Sequence, residues 1–464
     1  MRQLCIVLIF CLCIGTSVRS GEAKVLLPPS FEPTAEETLL LEYANRMRAD
    51  PKADAERVVP KDGAKIPRAS EHIDFKLFKE EMSVIKPAMP LVFNLAMLDA
   101  SRIHADYMAR NKYQGHDETA GKPGYIGDQC WDRFKWTGYG PYRVAGENAY
   151  YESVDMWQTH SAFVIDWDLN PNDSGGMQKG RMHRVCITDP EARETGMGVL
   201  KLEQYYSVVQ NFGLRANTRF VGGVIYVDFD WDKFYSVGEG VGGVKASVAE
   251  GGTAYSWPSG AFTLPVNGYS ALTVNIEFRG LKFTKAVPAS GDNAKVDWVI
   301  PADKFWAEVD KLFADAERVK EAGTPAFVNA RTGLIVLLDG IPLDESHRKR
   351  FDELTKEVRA DFEKHQQAIF DALDAYDAKK YPMVWAEQRR AYINSPADAW
   401  FKDAEKFGEL VNLVKAAEDK GGGKVPEAAK RDLLPKLDAA HLTLTRPSWR
   451  TRLEALIARV RRAG

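Results

Sequence analysis

His116, Glu147 and His183 are the residues of this chain whose types could do chemistry together. Two neutral imidazoles are good ligands for a zinc-class ion. A carboxylate could add a third ligand, a base that orients water, or a partner that fixes an imidazole tautomer. Each of the three lies beside a local signal for a turn or a strand edge, Glu147 within Gly146-Glu147-Asn148-Ala149. They are therefore expected to converge in one cleft. Asn148, Asn170 and Arg184 are the neighbouring candidates for ligand contacts. Asn148 also reads as a cap for local backbone groups, and Arg184 as the partner of an acid. His104 reads as a packed or surface residue of a helix, and His160 as a surface residue. No Gly-x-Ser-x-Gly elbow, His-Glu-x-x-His helix or phosphate loop occurs, so the common hydrolase and nucleotide classes lack support.

A second group of acids follows later. Asp228, Asp230, Asp232 and Glu239 occupy positions 1, 3, 5 and 12 of a calcium-loop spacing. Lys233 stands where a helix–loop–helix calcium site needs glycine, and the flanks read as strands. Four acids this close repel one another without a cation. Calcium would rigidify the segment; a solvated acidic turn is the alternative.

The elements that must position these groups can be read from pattern. Thr34-Ala35-Glu36-Glu37 is a capping box, and the helix after it stops at Asp50-Pro51. Asn94 caps a second helix over 95–112. Residues 113–142 read as a long loop, 154–167 as a helix, 172–180 as a Gly-rich loop, and 196–202 and 205–212 as strands. From 219 to 300, Val/Ile/Phe/Tyr alternation is broken by Gly, Pro and Asn at short intervals, the rhythm of a small β-sandwich. From 301 the spacing of Phe305, Val309, Leu312 and Ala316 is helical. The end, 450–462, is a basic amphipathic helix whose five arginines could touch an anionic surface or simply face solvent.

The chain has 464 residues, 45% apolar and 27% charged, with a net charge of −3. Such a length predicts two to four domains. The near-neutral balance argues against a nucleic-acid partner. Residues 1–20 read as a secretory signal peptide cleaved after Ser20, with an apolar run at 4–18 too short to span a bilayer. No transmembrane span is expected in the mature chain, and the location is secreted, periplasmic or extracellular. Cys130 and Cys186 remain after cleavage, and spacing alone does not decide whether they pair.

Several segments, in order, resemble bacterial members of the CAP superfamily, also called SCP/PR-1-like domains. They are the run from Leu41 to Pro51, Phe93 to Ser101 continuing to His104 and Met108, His116-Asp117, Gly138-Tyr139, Ala145 to Ala149, Met182-His183-Arg184 and Gly196 to Val199. The resemblance implies a secreted α-β-α sandwich with a cleft holding two histidines and one or two acids. Mapped by motif, His116 and His183 match the two histidines and Glu147 the glutamate of the Gly-Glu-Asn signature. Plant and animal members carry a second glutamate three residues after a tryptophan. Here Trp167 is followed at that offset by Asn170. The stretch from Asp228 to Gly243 resembles the first loop of calcium-dependent B-type sandwich repeats of bacterial surface proteins.

The expected class is thus α+β: a CAP domain over 30–215, a β-sandwich over 217–300, and a helical region over 301–464. Three functions follow as expectations. One is a cleft that binds a metal, a small extracellular ligand such as a lipid, sterol or glycan, or a peptide. The second is a metal-dependent extracellular hydrolase or peptidase. The third is a structural or adhesive protein whose tail contacts the cell envelope.

Overall fold

The computed structural model describes residues 32–61, 66, 69, 72–168, 174–215, 219–249, 252–321, 324–338, 343–375, 398–441 and 447–462. The expected signal peptide lies outside them.

Glu37 N–H donates to the Thr34 hydroxyl at 3.2 Å, and Thr34 N–H donates to the Glu37 carboxylate at 2.8 Å. This box opens helix α1 (Ala35–Ala49). Asp50 ends it and caps α2 (Pro51–Val58), where Pro51 sits in the first turn and needs no N–H partner. Next come α3 (Phe75–Val84), β1 (Val92–Phe93) and α4 (Leu95–Asn111), the last capped by Asn94 as its sequence predicts. The segment expected as a long loop contains α5 (Cys130–Thr137). It is followed by β2 (Tyr142–Ser153), α6 (Met156–Ile165), α7 (Met182–Thr188), β3 (Glu194–Lys201) and β4 (Tyr206–Arg215). Helices α5 and α7, of eight and seven residues, are too short to show a helical period in sequence.

These strands form one sheet in the order β1-β3-β4-β2, with β1 parallel to β3 and the rest antiparallel. Helices cover both faces. Met197 and Val199 of β3 join Leu40 of α1 and Phe163 of α6 in one core cluster. Residues of the opposite parity, Leu200 and Val209, pack with Ala105 and Met108 of α4. Among the described residues, strand β2 is left as an edge.

Among the described residues, eight further strands form two sheets. β6 (Lys245–Val248), β7 (Thr253–Tyr255), β9 (Leu272–Phe278) and β10 (Leu281–Val287) run antiparallel in the order β10-β9-β6-β7. In the other, β5 (Arg219–Tyr226) pairs antiparallel with β8 (Ala261–Val266) and parallel with the short β11 (Ala294–Lys295) and β12 (Trp298–Val299). Val221, Ile225 and Leu264 share a core with Ala246, Val274 and Ile276 of the first sheet.

That core continues into the helical region. Phe305, Val309, Leu312 and Phe313 of α8 (Ala302–Arg318) belong to it. The further helices among the described residues are α9 (Pro325–Leu338), α10 (Glu345–Ala375), α11 (Asp398–Lys420), α12 (Glu427–His441) and α13 (Pro447–Arg462). The tail docks on the first sheet's helices: Arg461 pairs with Asp99 of α4, and Leu434 packs against Gly138 after α5. Arg459 pairs with Glu418 of α11. Two arginines of the basic end thus face acids of this chain.

A buried ion cluster joins α1 to β11. Lys295 Nζ lies 2.8 Å from the Glu42 carboxylate and also bonds Asp297. Two carboxylates share one ammonium, and Glu42 is almost fully buried. Burial pushes its carboxyl up from 4.5 to about 7, against the pull of Lys295. A carboxyl raised in the folded state binds its proton more tightly there than in the unfolded chain. Its contribution to stability is therefore complete below pH 4.5 and lost as pH rises through about 7. Urea unfolding at pH 5 and pH 8 should show Glu42→Gln flattening the pH dependence by about 3 kcal/mol. Parallel curves for wild type and variant would mean that Glu42 stays ionised throughout.

Candidate functional site

Glu147 lies on β2, on the face that looks towards α4. Its side chain is 3% exposed. Arg133 of α5, fully buried, donates through one terminal nitrogen to both of its oxygens, at 3.0 and 2.8 Å. The same guanidinium stands 3.3 Å from Glu118, which also bonds His104 Nδ1 at 2.9 Å. His104 Nε2 meets the carbonyl of Gly115 at 2.8 Å. Behind the cleft, therefore, lies a closed network of two carboxylates, one guanidinium and one imidazole.

His116 sits in front of it, half exposed, with Nδ1 3.2 Å from Glu147. The Glu147 hydrogen bond raises the imidazole's pKa above its ordinary value, outweighing burial. Burial acts to raise the pKa of Glu147 in turn, but the hydrogen bond from His116 and the charges of His104 and Arg133 hold it below the usual carboxylate range.

His183 is on α7, and its Nδ1 lies 2.6 Å from Asp166 Oδ1. The other Asp166 oxygen accepts the His183 backbone N–H at 3.0 Å. Asp166 caps the end of α6 in the left-handed region, with φ 60°, a conformation that Asp tolerates better than most residues. The rings of His116 and His183 tilt towards each other with centroids 6.4 Å apart. An ionised carboxylate only accepts, so in the neutral ring each Nδ1 carries the proton and each Nε2 offers a lone pair. Neither Nε2 has a hydrogen-bond partner among the described residues.

The structure thus brings His116, Glu147 and His183 together, but in unequal roles. Glu147 is engaged by Arg133 and His116. Asn148 donates to the His183 carbonyl at 3.1 Å and to Gln210 at 3.0 Å, fixing α7 to β2 from a fully buried position. Gly146 lets Cys186 of α7 approach, since a Cβ there would stand 3.1 Å from its sulfur. Arg184 turns away from the cleft. It donates to the carbonyls of Val164 and Ile165 and to Glu81, satisfying the end of α6. Asn170 lies outside the described residues. His160, read as a surface residue, is fully buried and bonds Asp54 at 2.7 Å.

Sequence reading missed Asp166, Arg133 and Glu118. Asp166 had a signal: an acid directly before Trp167, at the end of an apolar helix. Arg133 had only the short α5 to announce it.

Next to His183 a groove of about 640 Å³ opens between β2 and α6, with Tyr151, Phe163 and Trp167 among its walls. In the β region, Asp228, Asp230 and Asp232 bring one oxygen each within 4.8 Å of one another. Glu239 does not join them. It accepts from the N–H of Phe229 and of Ser236, both at 2.8 Å.

Comparison with known proteins matches residues 86–212 to the model of CAP, the cysteine-rich secretory protein family. The chain carries a CAP domain over those residues. An extracellular protein containing an SCP domain from Bacillus anthracis str. Ames, solved at 1.5 Å, is 21% identical, with a TM-score of 0.21. The alignment covers 28% of this chain and 35% of that one, so the chain spans about a third of that protein's length. No curated protein matches. All of His104, His116, Glu118, Arg133, Glu147, Asp166 and His183 fall within the CAP domain. Helices α1 to α3 precede the matched span, although α1 supplies part of the domain's core.

Proposed function

We propose that the CAP-domain cleft is the binding site of an extracellular protein, in which His116 and His183 hold a zinc-class ion and the adjoining groove holds a small ligand. The observation that carries this reading is the pair of carboxylate-oriented imidazoles, His116 on Glu147 and His183 on Asp166, each presenting Nε2. Such carboxylate–histidine pairs are how proteins set ligands for zinc. The donor set fits two imidazole ligands, leaving further coordination positions for the bound molecule or water. The ion would supply a Lewis-acidic anchor for a ligand oxygen. Binding is favoured over hydrolysis because the one cleft glutamate is already neutralised by Arg133. An envelope-tethering role draws less support, since Arg459 and Arg461 of the tail pair within the chain.

A second reading concerns the β region, which we take as the sandwich module. Asp228 Oδ1 is buried without a hydrogen-bond partner beside Asp230 and Asp232. We propose calcium there as a structural ion.

Titration calorimetry of the full chain with zinc and with calcium tests both sites. Asp166→Asn is expected to weaken zinc binding about 10–100-fold. His116→Ala/His183→Ala should abolish it and leave calcium unchanged, while Asp230→Asn does the reverse. Zinc binding that ignores the two histidines would remove the metal reading of the cleft.

A further inference from the structure

Strand β2 is the outer strand of its sheet, and its free side borders the groove beside His183. The pairing determines which of its residues turn their backbone outward. Asn94 N–H donates to Thr195 O at 2.9 Å, so the odd residues of β3 face β1 and the even ones face β4. Through Gly196↔Asn211 and Gly198↔Val209, the even residues of β4 then face β2. Through Asn148↔Gln210 and Tyr150↔Val208, the odd residues of β2 point away from the sheet. Two contacts agree with this parity. Glu147 N–H reaches the sulfur of Cys186, and Tyr151 N–H reaches the Gln114 side-chain oxygen at 3.2 Å.

Between them, Ala149 turns both its N–H and its C=O outward. Neither has a partner among the described residues. Yet Ala149 is only 4% exposed, and it lines the groove. Backbone groups at that depth are nearly always paired. A donor and an acceptor on one residue, both in the plane of the sheet, are the pattern that one residue of a neighbouring strand satisfies. A lipid chain offers nothing to either group, and a glycan does not repeat at the strand spacing.

We infer that the groove takes an extended peptide, which adds to β2 as a further strand and exchanges N–H···O=C bonds with Ala149. This names the ligand class of the proposed binding cleft and rests on that reading; it does not need the metal. Cys186 closes the edge at Glu147. At the other end the strand breaks at Glu152, whose φ is 65°. A segment of about five residues spans the interval. Its side chains alternate between faces, so every second one meets the aromatic wall of Tyr150, Phe163 and Trp167.

The test is a random seven-residue peptide library panned on the full chain. The best binder is then resynthesised with a single N-methyl group at each position in turn. N-methylation deletes a donor and obstructs a strand edge. Losses of roughly tenfold or more should fall on alternate positions, with the intervening ones unaffected. Ala149→Pro removes the outward N–H without touching the ladder to β4, and should weaken the same peptide similarly. Binding should be unchanged when metal is stripped with EDTA, so that a failed metal site and a failed peptide site are told apart. An unproductive library, or N-methyl losses without a two-residue period, would overturn the inference; an ordered water would then account for Ala149.

Discussion

Replacing Arg133 by methionine is expected to destabilise the chain by about 3–5 kcal/mol, although nothing at the protein surface changes. The guanidinium is fully buried and lies between Glu118 and Glu147, whose side chains are 0% and 3% exposed. Its removal leaves two carboxylates in a low-dielectric interior without a guanidinium, held by imidazoles and, at Glu118, by the N–H of Ile126. Taking away one partner of a buried pair costs far more than the pair itself contributes, because the uncompensated charge remains. Urea unfolding measures the loss. Adding Glu118→Gln and Glu147→Gln to Arg133→Met should restore part of it, since the stranded charges go too. A loss under about 1 kcal/mol would show that water reaches the carboxylates, as at an exposed pair. Arg133→Lys is no conservative test, because a single ammonium cannot reach both acids as the fork does.

The second large effect is expected at Gly198. A Cβ there would lie 2.5 Å from Arg102 N and from the Ser101 carbonyl carbon, all backbone of α4. At Gly196 it would lie 2.3 Å from the Met97 carbonyl carbon and oxygen. No side-chain rotation relieves either contact, so α4 must lift from β3. Gly198→Ala should therefore cost about 3 kcal/mol, the upper range for overpacking. Because α4 carries His104, the same shift should loosen the His104–Glu118 bond. Zinc affinity should fall together with the midpoint of unfolding. Unchanged stability would mean that the helix slides at no cost, against the close packing of interiors.

The Gly-Met-Gly-Val run was legible as a motif, but its physical reason was not, because a period-two pattern carries no record of what lies above it. The same holds at the site. His116, Glu147 and His183 could be picked out by type and order. That Glu147 is bonded by a buried guanidinium depended on Arg133, which comes from a helix too short to leave a period. Asp166, the acid that bonds His183, precedes Trp167, whereas an acid was sought three residues after it. Its role follows from a left-handed helix end, which local sequence only permits. Long elements with a cap, such as α1 and α4, were readable nearly to the residue. The β rhythm after 219 predicted strands, but not that β11 and β12 would run parallel to β5. Nor did the helical spacing after 301 foretell that Arg461 would pair with Asp99, since contacts so distant in sequence leave no local trace.

The two cysteines have a consequence for how the cleft can be observed. Both are free. Burial pushes Cys130 up to about 12 and Cys186 up to about 11, so in the closed cleft they are thiols with almost no thiolate at neutral pH. Alkylating reagents attack the thiolate, and the static protein offers them next to none. Labelling is then slow, although both residues are partly exposed. Cys186 sits on α7 against Gly146, next to the strand edge and to His183. Its labelling rate therefore reads the breathing of that wall, much as amide exchange reads the opening of a hydrogen bond. The Cys186 sulfur, which accepts the Glu147 N–H, is thus a built-in reporter on that side of the cleft.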